Sequence, residues 1–297
     1  MEINIRNVTK KYGDKIAVNN INIHLQEGIY GLLGSNGAGK STLLRILCSV
    51  LHPTKGAVYF NGRNINLMGK EYRGLLGYLP QEFGCYPDFT AEELLLYVAS
   101  LKGIPKRTAK LSITELLASV GLSGVANKKL KTFSGGMKQR LGIAQVLLNH
   151  PAVIILDEPT AGLDPKERIR FRELLKKYSE NSIVILSTHI VSDLENTADN
   201  ILLMKEGELL LSGDTLGITR HLDGKVWTCI CAKYEIERYY KHFCVTNRRD
   251  TSSGVELRII GDIKPCDEAC RAEGTLEDLY MYYFRDGGEE DVAYNQI

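Results

Sequence analysis

Apolar and polar residues alternate along the first sixty positions, as they do in half-buried strands. The alternation is clear at residues 3–5, 21–25 and 58–60, and glycine and asparagine residues lie between these segments. Such residues favour turns between strands that follow each other in the chain. This part of the chain is therefore predicted to form an antiparallel β layer.

Three later segments are continuously apolar: "IYGLL", "VIILD" and "IVILS". Each is short and is followed by a helix or turn signal, which is typical of parallel strands covered on both faces. Residues 82–150 instead show helical spacing, as in "TAEELLLYVASLKG". We expect an α/β domain with a parallel core sheet, an antiparallel layer and an inserted helical subdomain.

The composition changes after residue 217, where short strand-like segments surround one helical segment. We expect a first domain over 1–217 and a small accessory α/β domain over 218–286. The last residues, 287–297, are acidic and begin with glycine, so they are predicted to be a disordered tail.

The overall composition is that of an ordinary globular protein, with 44% hydrophobic and 25% charged residues. A net charge of +1 argues against a nucleic-acid partner. No apolar run reaches the roughly 18 residues of a membrane span, and the N-terminus has no signal-like segment. The expected location is the cytoplasm, unless a partner brings the chain to a membrane, and the seven cysteines are interpreted as reduced thiols.

The segment "GLLGSNGAGKST" has the P-loop pattern at Gly34, Gly39, Lys40 and Ser41, after an apolar strand and before a helix. Glycines let backbone N–H groups surround phosphates, Lys40 adds a positive charge, and the Ser41 hydroxyl can coordinate Mg²⁺. The predicted ligand is a nucleoside triphosphate. The alternative is a glycine-rich turn with an exposed lysine.

Two adjacent acids, Asp157 and Glu158, end the apolar segment "AVIILDEP". Ligands of open α/β sheets bind at the carboxyl ends of the strands, so Asp157 suits Mg²⁺ and Glu158 suits a water that attacks the γ-phosphate. By itself, such a pair is also compatible with a helix cap or a solvated turn.

A second helix start, in "TFSGGMKQR", offers Ser134 as a cap and two glycines that allow close approach to the backbone. The free N–H groups and the helix dipole favour an anion there. A better phosphate site lies about a hundred residues upstream, so the residues alone leave the ligand of this helix start open.

The order of "GSNGAGKST", "YLPQ", "FSGGMKQR", "VIILDEP", "AGLDP" and "STH" resembles the nucleotide-binding subunits of ATP-binding cassette (ABC) transporters over residues 1–215. The resemblance implies a P-loop NTPase fold of the ABC ATPase type and an ATPase that uses ATP and Mg²⁺. It implies catalytic roles for Glu158, His189, Gln81 and Lys40, and metal ligation by Ser41, Gln81 and Asp157.

The resemblance also implies which residues contact the nucleotide. Tyr12 matches the aromatic residue that stacks on adenine, although a packed turn tyrosine is the alternative. Asp164 matches an aspartate at the subunit interface. The phosphate-binding loop corresponds to Ser35, Asn36, Gly37, Ala38, Gly39, Lys40, Ser41 and Thr42.

In proteins of this family, the serine and glycines that match Ser134, Gly135 and Gly136 bind the γ-phosphate of ATP held by a second subunit. The implied partners are a second copy of the chain, or a paralogous ATPase subunit, and a transmembrane permease. The implied location is the cytoplasmic face of the cell membrane, where the permease would hold the chain as a peripheral subunit.

The chain departs from the family pattern at two positions: Ser35 replaces the usual proline, and Phe133 replaces the usual leucine. Neither change removes a phosphate ligand, so an active ATPase is expected. The segment after Gln81 and the ending "TLEDLYMYYF" are similar to the ATPase subunits of bacterial two-component exporters for drugs, antibiotics, lipids or peptides. An ordinary capped helix and a packed helix end would explain the same two segments.

Two other functions stay open at this stage. A soluble ABC-type ATPase of translation or DNA repair is the alternative, although translation members usually carry two cassettes and repair members a long coiled coil. A small-molecule kinase with the same P-loop would leave "FSGG" and His189 unexplained.

Overall fold

The computed structural model describes residues 1–284 and divides into two compact units, of which the first is Met1–Gly213 and the second begins at Asp214. Residue 217, the expected end of the first domain, lies within a short helix, Thr215–Thr219. Asp214 caps this helix, because its carboxylate accepts a hydrogen bond from the N–H of Gly217. The predicted tail, 287–297, lies outside the described residues.

The first unit contains β1 to β10 and α1 to α8. The strands are β1 (Glu2–Tyr12), β2 (Lys15–Gln26), β3 (Gly28–Leu33), β4 (Lys55–Phe60), β5 (Arg63–Asn64), β6 (Leu76–Leu79), β7 (Val153–Asp157), β8 (Ile183–Ser187), β9 (Asn200–Lys205) and β10 (Glu208–Asp214). The helices are α1 (Lys40–Leu47), α2 (Ile65–Met68), α3 (Lys70–Gly74), α4 (Ala91–Leu101), α5 (Lys106–Ser119), α6 (Gly135–Leu147), α7 (Pro165–Ser179) and α8 (Val191–Glu195).

Two sheets form this unit. The antiparallel sheet has the strand order β2-β1-β4-β5, and its alternating residues are buried as the sequence predicts. The second sheet has the order β10-β9-β3-β8-β7-β6, and β3, β6, β7, β8 and β9 pair in parallel. The predicted α/β architecture, with a parallel core sheet and an antiparallel layer, is confirmed.

One hydrophobic cluster joins the two sheets through α1. It contains residues of α1, of the antiparallel strands β1 and β2, and of the parallel strands β7 and β8. Its members include Ile3, Ile21, Leu43, Leu44, Leu47, Val153, Ile155, Ile183 and Ile185. Because these side chains share one core, the start of α1 is held at the edge of the parallel sheet.

Helices α4, α5 and α6 occupy the region in which the sequence predicts a helical subdomain. Helix α4 begins with a capping box: the Thr90 hydroxyl accepts a hydrogen bond from the N–H of Glu93, and the Glu93 carboxylate accepts one from the N–H of Thr90. Helix α6 buries Leu141, Ile143 and Leu147, among others, so it is fixed to the core of the unit.

The second unit contains α9 (Thr215–Thr219), β11 (Val226–Cys231), α10 (Ile236–His242), β12 (Cys244–Thr251), β13 (Gly254–Ile260), β14 (Cys270–Arg271) and α11 (Leu276–Phe284). Its strands form an antiparallel sheet in the order β12-β13-β11-β14. Trp227, Cys229, Val255, Leu257 and Ile259 lie in its core.

Candidate nucleotide-binding site

The parallel strands place the candidate site at one edge of the sheet. The loop after β3 leads into α1, and β6, β7 and β8 end beside it. Parallel strands present their carboxyl ends at the same edge, which is where ligands of open α/β sheets bind. Residues that are far apart in the chain therefore meet at this edge.

Two glycines of the loop between β3 and α1 need their special backbone freedom. Gly39 has a φ of 100°, and a Cβ there would lie 2.3 Å from the carbonyl oxygen of Ala17. Gly37 has a φ of 84°, but a Cβ there would meet nothing within 4 Å. Gly39 thus lets the loop pack against β2, while Gly37 leaves the backbone open to a ligand.

Lys40, the first residue of α1, is only 7% exposed. Its ammonium group donates hydrogen bonds to the carbonyl oxygens of Gly34 (2.6 Å) and Ser35 (3.0 Å). Burial lowers the pKa of Lys40, while the carboxylates of Glu158 and Asp157 act in the opposite direction. A positive charge is thus held within the loop that is expected to bind phosphates.

A cleft of about 300 Å³ opens beside this loop. Most of the residues that the sequence predicts to bind nucleotide or magnesium line this cleft, but Ser35, Ala38, Ser134, Gly135, Gly136 and Asp164 do not. Lys15, Ala17 and Ser187 also line it, although no sequence motif predicts a role for them. The expected residues in its lining are Tyr12, Asn36, Gly37, Gly39, Lys40, Ser41, Thr42, Gln81, Asp157 and Glu158.

The two carboxylates at the end of β7 lie in different environments. Asp157 is 5% exposed, and its Oδ1 accepts a hydrogen bond of 2.6 Å from the Ser187 hydroxyl. The Oε1 of Glu158 lies 3.0 Å from Nδ1 of His189, whose side chain is exposed. The Oε2 of Glu158 is buried and has no hydrogen-bond partner among residues 1–284. A buried carboxylate oxygen in a cleft is suited to binding water or substrate.

The backbone of Glu158 adopts the left-handed conformation, with a φ of 52°. Residues other than glycine adopt it at a cost, and such strain is enriched at functional sites, although Ser49, His150 and Glu206 share this conformation outside the cleft lining. The hydroxyl of Thr188 shapes the neighbouring turn, because it accepts a hydrogen bond of 3.0 Å from the N–H of Ile190. Both carboxylates and His189 are therefore held by local structure.

The oxygen atoms of the cleft fit a magnesium ion. Ser41, Gln81 and Asp157 line the same cleft and offer a hydroxyl, an amide carbonyl and a carboxylate. Magnesium binds oxygen ligands and usually one or two carboxylates together with substrate phosphates. The donors present here match that preference.

Tyr12 lies at the rim of the cleft and is 48% exposed. The ammonium of Lys10 lies 5.4 Å from the centre of its ring and donates a hydrogen bond to the carbonyl oxygen of His52. The Tyr12 ring is therefore held by a cation–π contact on one side but is still accessible to solvent. A ring must be accessible if it is to stack on a planar base.

The "FSGG" segment does not line this cleft. Ser134 caps α6, because its hydroxyl accepts a hydrogen bond of 3.2 Å from the N–H of Met137. Ser134 and Gly135 are exposed, and a Cβ at Gly135 would meet nothing within 4 Å. Asp164 is exposed as well and caps α7 through the N–H of Glu167 (2.8 Å). These exposed residues therefore lie outside the lining of the cleft that contains the chain's own phosphate loop.

The start of α6 is nevertheless tied to the loop that follows the carboxylates. The amide of Gln139 donates hydrogen bonds to the carbonyl oxygens of Pro159 (3.1 Å) and Glu158 (3.3 Å). The Arg140 guanidinium lies 2.8 Å from the Glu167 carboxylate, and both side chains are mostly buried. These contacts could not be predicted from the sequence, because no local pattern indicates which helix packs on which loop.

A parallel α/β sheet with this glycine loop, buried lysine and pair of carboxylates defines a P-loop nucleotide-binding protein. The family model for ABC transporters matches residues 18–161. An uncharacterised ABC transporter ATP-binding protein of Bacillus subtilis, YxlF, is 38% identical over 76% of this chain and 75% of its own. The chain belongs to the ATP-binding proteins of ABC transporters and is an ATPase.

Other relatives carry more specific names. The bacitracin transport ATP-binding protein BcrA of Bacillus licheniformis is 42% identical over 70% of this chain and 68% of its own. The lantibiotic transport ATP-binding protein SrtF of Streptococcus pyogenes is 37% identical over 70% of this chain and 89% of its own.

Solved structures of ATP-binding cassettes are similar to about three quarters of this chain. An ATP-binding subunit of an ABC transporter has a TM-score of 0.70 and 26% identity, over 75% of this chain and 94% of that one. The dimeric ATP-binding cassette MJ0796, bound to ADP and Pi, has a TM-score of 0.66 and 29% identity, over 71% of this chain and 98% of that one. Within residues 1–284, the longest apolar helices still fall short of what a membrane crossing requires.

Proposed function

We propose that this chain is the ATP-hydrolysing subunit of a membrane exporter and that two copies enclose two ATP molecules. The observation that carries the proposal is the separation of two phosphate-binding elements within one chain. Lys40, Asp157 and Glu158 share a cleft, whereas Ser134 and Gly135 are exposed and lie outside its lining. A second copy can bring its own Ser134 and Gly135 to this cleft, in a two-fold arrangement.

In the proposed reaction, Lys40 neutralises charge on the β- and γ-phosphates. Glu158 accepts a proton from the attacking water, and its buried Oε2 is the oxygen suited to hold that water. His189 holds Glu158 through Oε1 and is exposed enough to reach the γ-phosphate. A magnesium ion held by Ser41, Gln81 and Asp157 would supply charge neutralisation at the phosphates.

The proposed partner is a transmembrane permease, and the proposed location is the cytoplasmic face of the membrane. Relatives named for bacitracin transport, lantibiotic transport and Nod factor export support an exporter. Hydrolysis would remove the γ-phosphate that bridges the two subunits, and their separation would then drive the permease between two states.

A test uses Glu158→Gln, which keeps the shape of the side chain but removes its basicity. ATP should bind, remain intact and hold two chains together, so light scattering should detect an ATP-dependent dimer. Ser134→Arg in the same background places a bulky side chain where the other subunit's ATP must dock. This double variant should still bind ATP, measured by calorimetry, but stay monomeric.

A matched control is Ser123→Arg, which makes the same change at an exposed position in the short 3₁₀ turn Ser123–Val125 that follows α5. The control should dimerise with ATP like Glu158→Gln alone. An ATP-dependent dimer that survives Ser134→Arg would contradict the proposed interface. Co-purification of a membrane protein with the tagged chain tests the permease, and repeated capture of ribosomes instead would reject the exporter.

A further inference from the structure

Ser187 is the last residue of β8, and its side chain is completely buried. It lies opposite Asp157, the last residue of β7, in the register of the two parallel strands. Its hydroxyl donates the 2.6 Å hydrogen bond to Oδ1 of Asp157. The same serine lines the nucleotide cleft.

Ser187 also contacts the second carboxylate residue, through its backbone. The N–H of Glu158 donates a hydrogen bond of 2.9 Å to the carbonyl oxygen of Ser187. One residue therefore orients the side chain of Asp157 and holds the backbone of Glu158 at its left-handed φ of 52°. No other hydroxyl among residues 1–284 is shown to bond Asp157.

A purely structural role is the competing explanation, because a buried hydroxyl needs a hydrogen-bond partner wherever it lies. The same chain offers a structural example in Ser182, which directly precedes β8. Ser182 is 4% exposed, and its hydroxyl donates a hydrogen bond of 2.7 Å to the carbonyl oxygen of Pro151. Ser182 lies at the opposite end of β8, where no residue lines the cleft.

Ser187 differs from Ser182 in its hydrogen-bond partner, which is the Asp157 carboxylate and not a backbone carbonyl. A carboxylate that accepts a hydrogen bond from a buried hydroxyl cannot rotate freely about its last bond, and such outer-shell contacts orient metal ligands. Asp157 shares the cleft with Ser41 and Gln81, whose oxygens complete a set suited to magnesium. The hydrogen bond from Ser187 therefore acts on the proposed magnesium ligand itself.

We propose that Ser187 is a positioning residue for magnesium, which fixes the Asp157 carboxylate in the orientation that binds the ion together with ATP. This inference rests on the proposed function, since it requires Asp157 to be a magnesium ligand. It assigns no proton transfer and no contact with substrate to Ser187.

The test measures the affinity of a non-hydrolysable ATP analogue by calorimetry, with Mg²⁺ and with EDTA. The wild-type chain should bind the analogue more tightly with Mg²⁺. In Ser187→Ala, the affinity for the analogue with Mg²⁺ should fall by about 10- to 100-fold, which is the usual effect of removing an outer-shell contact. The affinity of this variant in EDTA should equal that of the wild-type chain. ATP hydrolysis by Ser187→Ala should need more Mg²⁺ for half-maximal rate.

Ser182→Ala is the matched control, because it removes a buried hydrogen bond from the other end of the same strand. Both variants should lower the thermal unfolding midpoint by similar amounts, but Ser182→Ala should keep the full effect of Mg²⁺. Ser187→Cys preserves the volume with a weaker donor and should give an intermediate loss, so it decides the question if Ser187→Ala does not fold.

The outcomes separate the inference from the function on which it rests. If the wild-type chain binds the analogue equally well with Mg²⁺ and EDTA, the proposed magnesium site itself fails. If the wild-type chain responds to Mg²⁺ and the Ser187 variants respond equally, the inference is overturned. Equal loss of the response in Ser182→Ala would also overturn it, because the effect would then be structural.

Discussion

The carboxylate of Asp278 on α11 provides a quantitative test of what stabilises the C-terminal unit. It is 1% exposed and accepts hydrogen bonds from the Arg258 guanidinium of β13 at 2.7 to 3.0 Å. The Thr246 hydroxyl of β12 (2.7 Å) and the N–H (2.9 Å) and hydroxyl (2.8 Å) of Thr275 also donate to it. Burial alone would raise the pKa of Asp278, but these hydrogen bonds outweigh it and hold the pKa below its usual value.

Asp278→Asn keeps the size of the side chain and removes its charge, so Arg258 loses a buried ionic partner. Removal of one partner from a buried ion pair costs about 3–5 kcal/mol, and we expect the free energy of unfolding to fall by this amount. Asp262→Asn is the matched control. Asp262 lies 3.2 Å from the ammonium of Lys225 but is 79% exposed, so its loss should cost below about 1 kcal/mol.

The assay uses the single tryptophan of the chain, Trp227, which lies in the core of the C-terminal unit. Its indole N–H donates a hydrogen bond of 2.9 Å to the carbonyl oxygen of Gly261, and the side chain is 7% exposed. Urea unfolding of the full chain, followed by tryptophan fluorescence, therefore reports on this unit.

The pH dependence gives a second, independent measurement. Because the pKa of Asp278 is lowered in the folded state, its ionised form contributes stability that is fully present above the ordinary aspartate pKa, about 3.9. That contribution is lost as the pH falls through the lowered value. The difference between wild type and Asp278→Asn should therefore shrink on acidification. Equal losses for Asp278→Asn and Asp262→Asn at pH 7, or a difference that does not change with pH, would refute the reasoning.

Three further predictions concern the ATPase unit. Lys40→Ala should abolish ATP hydrolysis and weaken nucleotide binding, because charge at the phosphates is lost, whereas Lys166→Ala, at an exposed position of α7, should keep wild-type turnover. Gly135→Ala should fold and bind ATP, since a Cβ there meets nothing, but in a Glu158→Gln background it should weaken the ATP-dependent dimer seen by light scattering. A chain that ends at Gly213 should bind ATP in calorimetry; an unfolded product would contradict the division into two units.

Much of the fold could be predicted from hydrophobic patterning. Strands that are buried on one face show alternating apolar residues, and strands that are buried on both faces show continuous apolar runs. Strand β6 could not: "LGYL" has only four residues, and it is a strand because it pairs with β7, where Leu76 lies opposite Val153. Helices α2 and α3 have only four and five residues and show no recognisable hydrophobic period.

Some residues of the candidate site can be predicted from local sequence, whereas others depend on contacts between distant parts of the chain. Roles for Lys40, Asp157 and Glu158 could be predicted because these residues belong to contiguous motifs next to strand ends. Ser187 was missed, because its contact with Asp157 depends on β7 and β8 being neighbours, which the chain order alone does not state. The contacts of Asp278 could not be predicted either, because an acid in a helical segment is usually solvated and its partners Thr246 and Arg258 lie on other elements.

The left-handed backbone of Glu158 lowers the stability of the folded chain at a position where the side chain is proposed to serve ATP hydrolysis. A glutamate held at a φ of 52° costs about 1–3 kcal/mol of conformational strain, and its buried Oε2 adds a desolvation penalty. Glycine would relieve both costs. A library of variants selected only for thermal stability should therefore enrich glycine at position 158. The most stable variants from such a library should be unable to hydrolyse ATP.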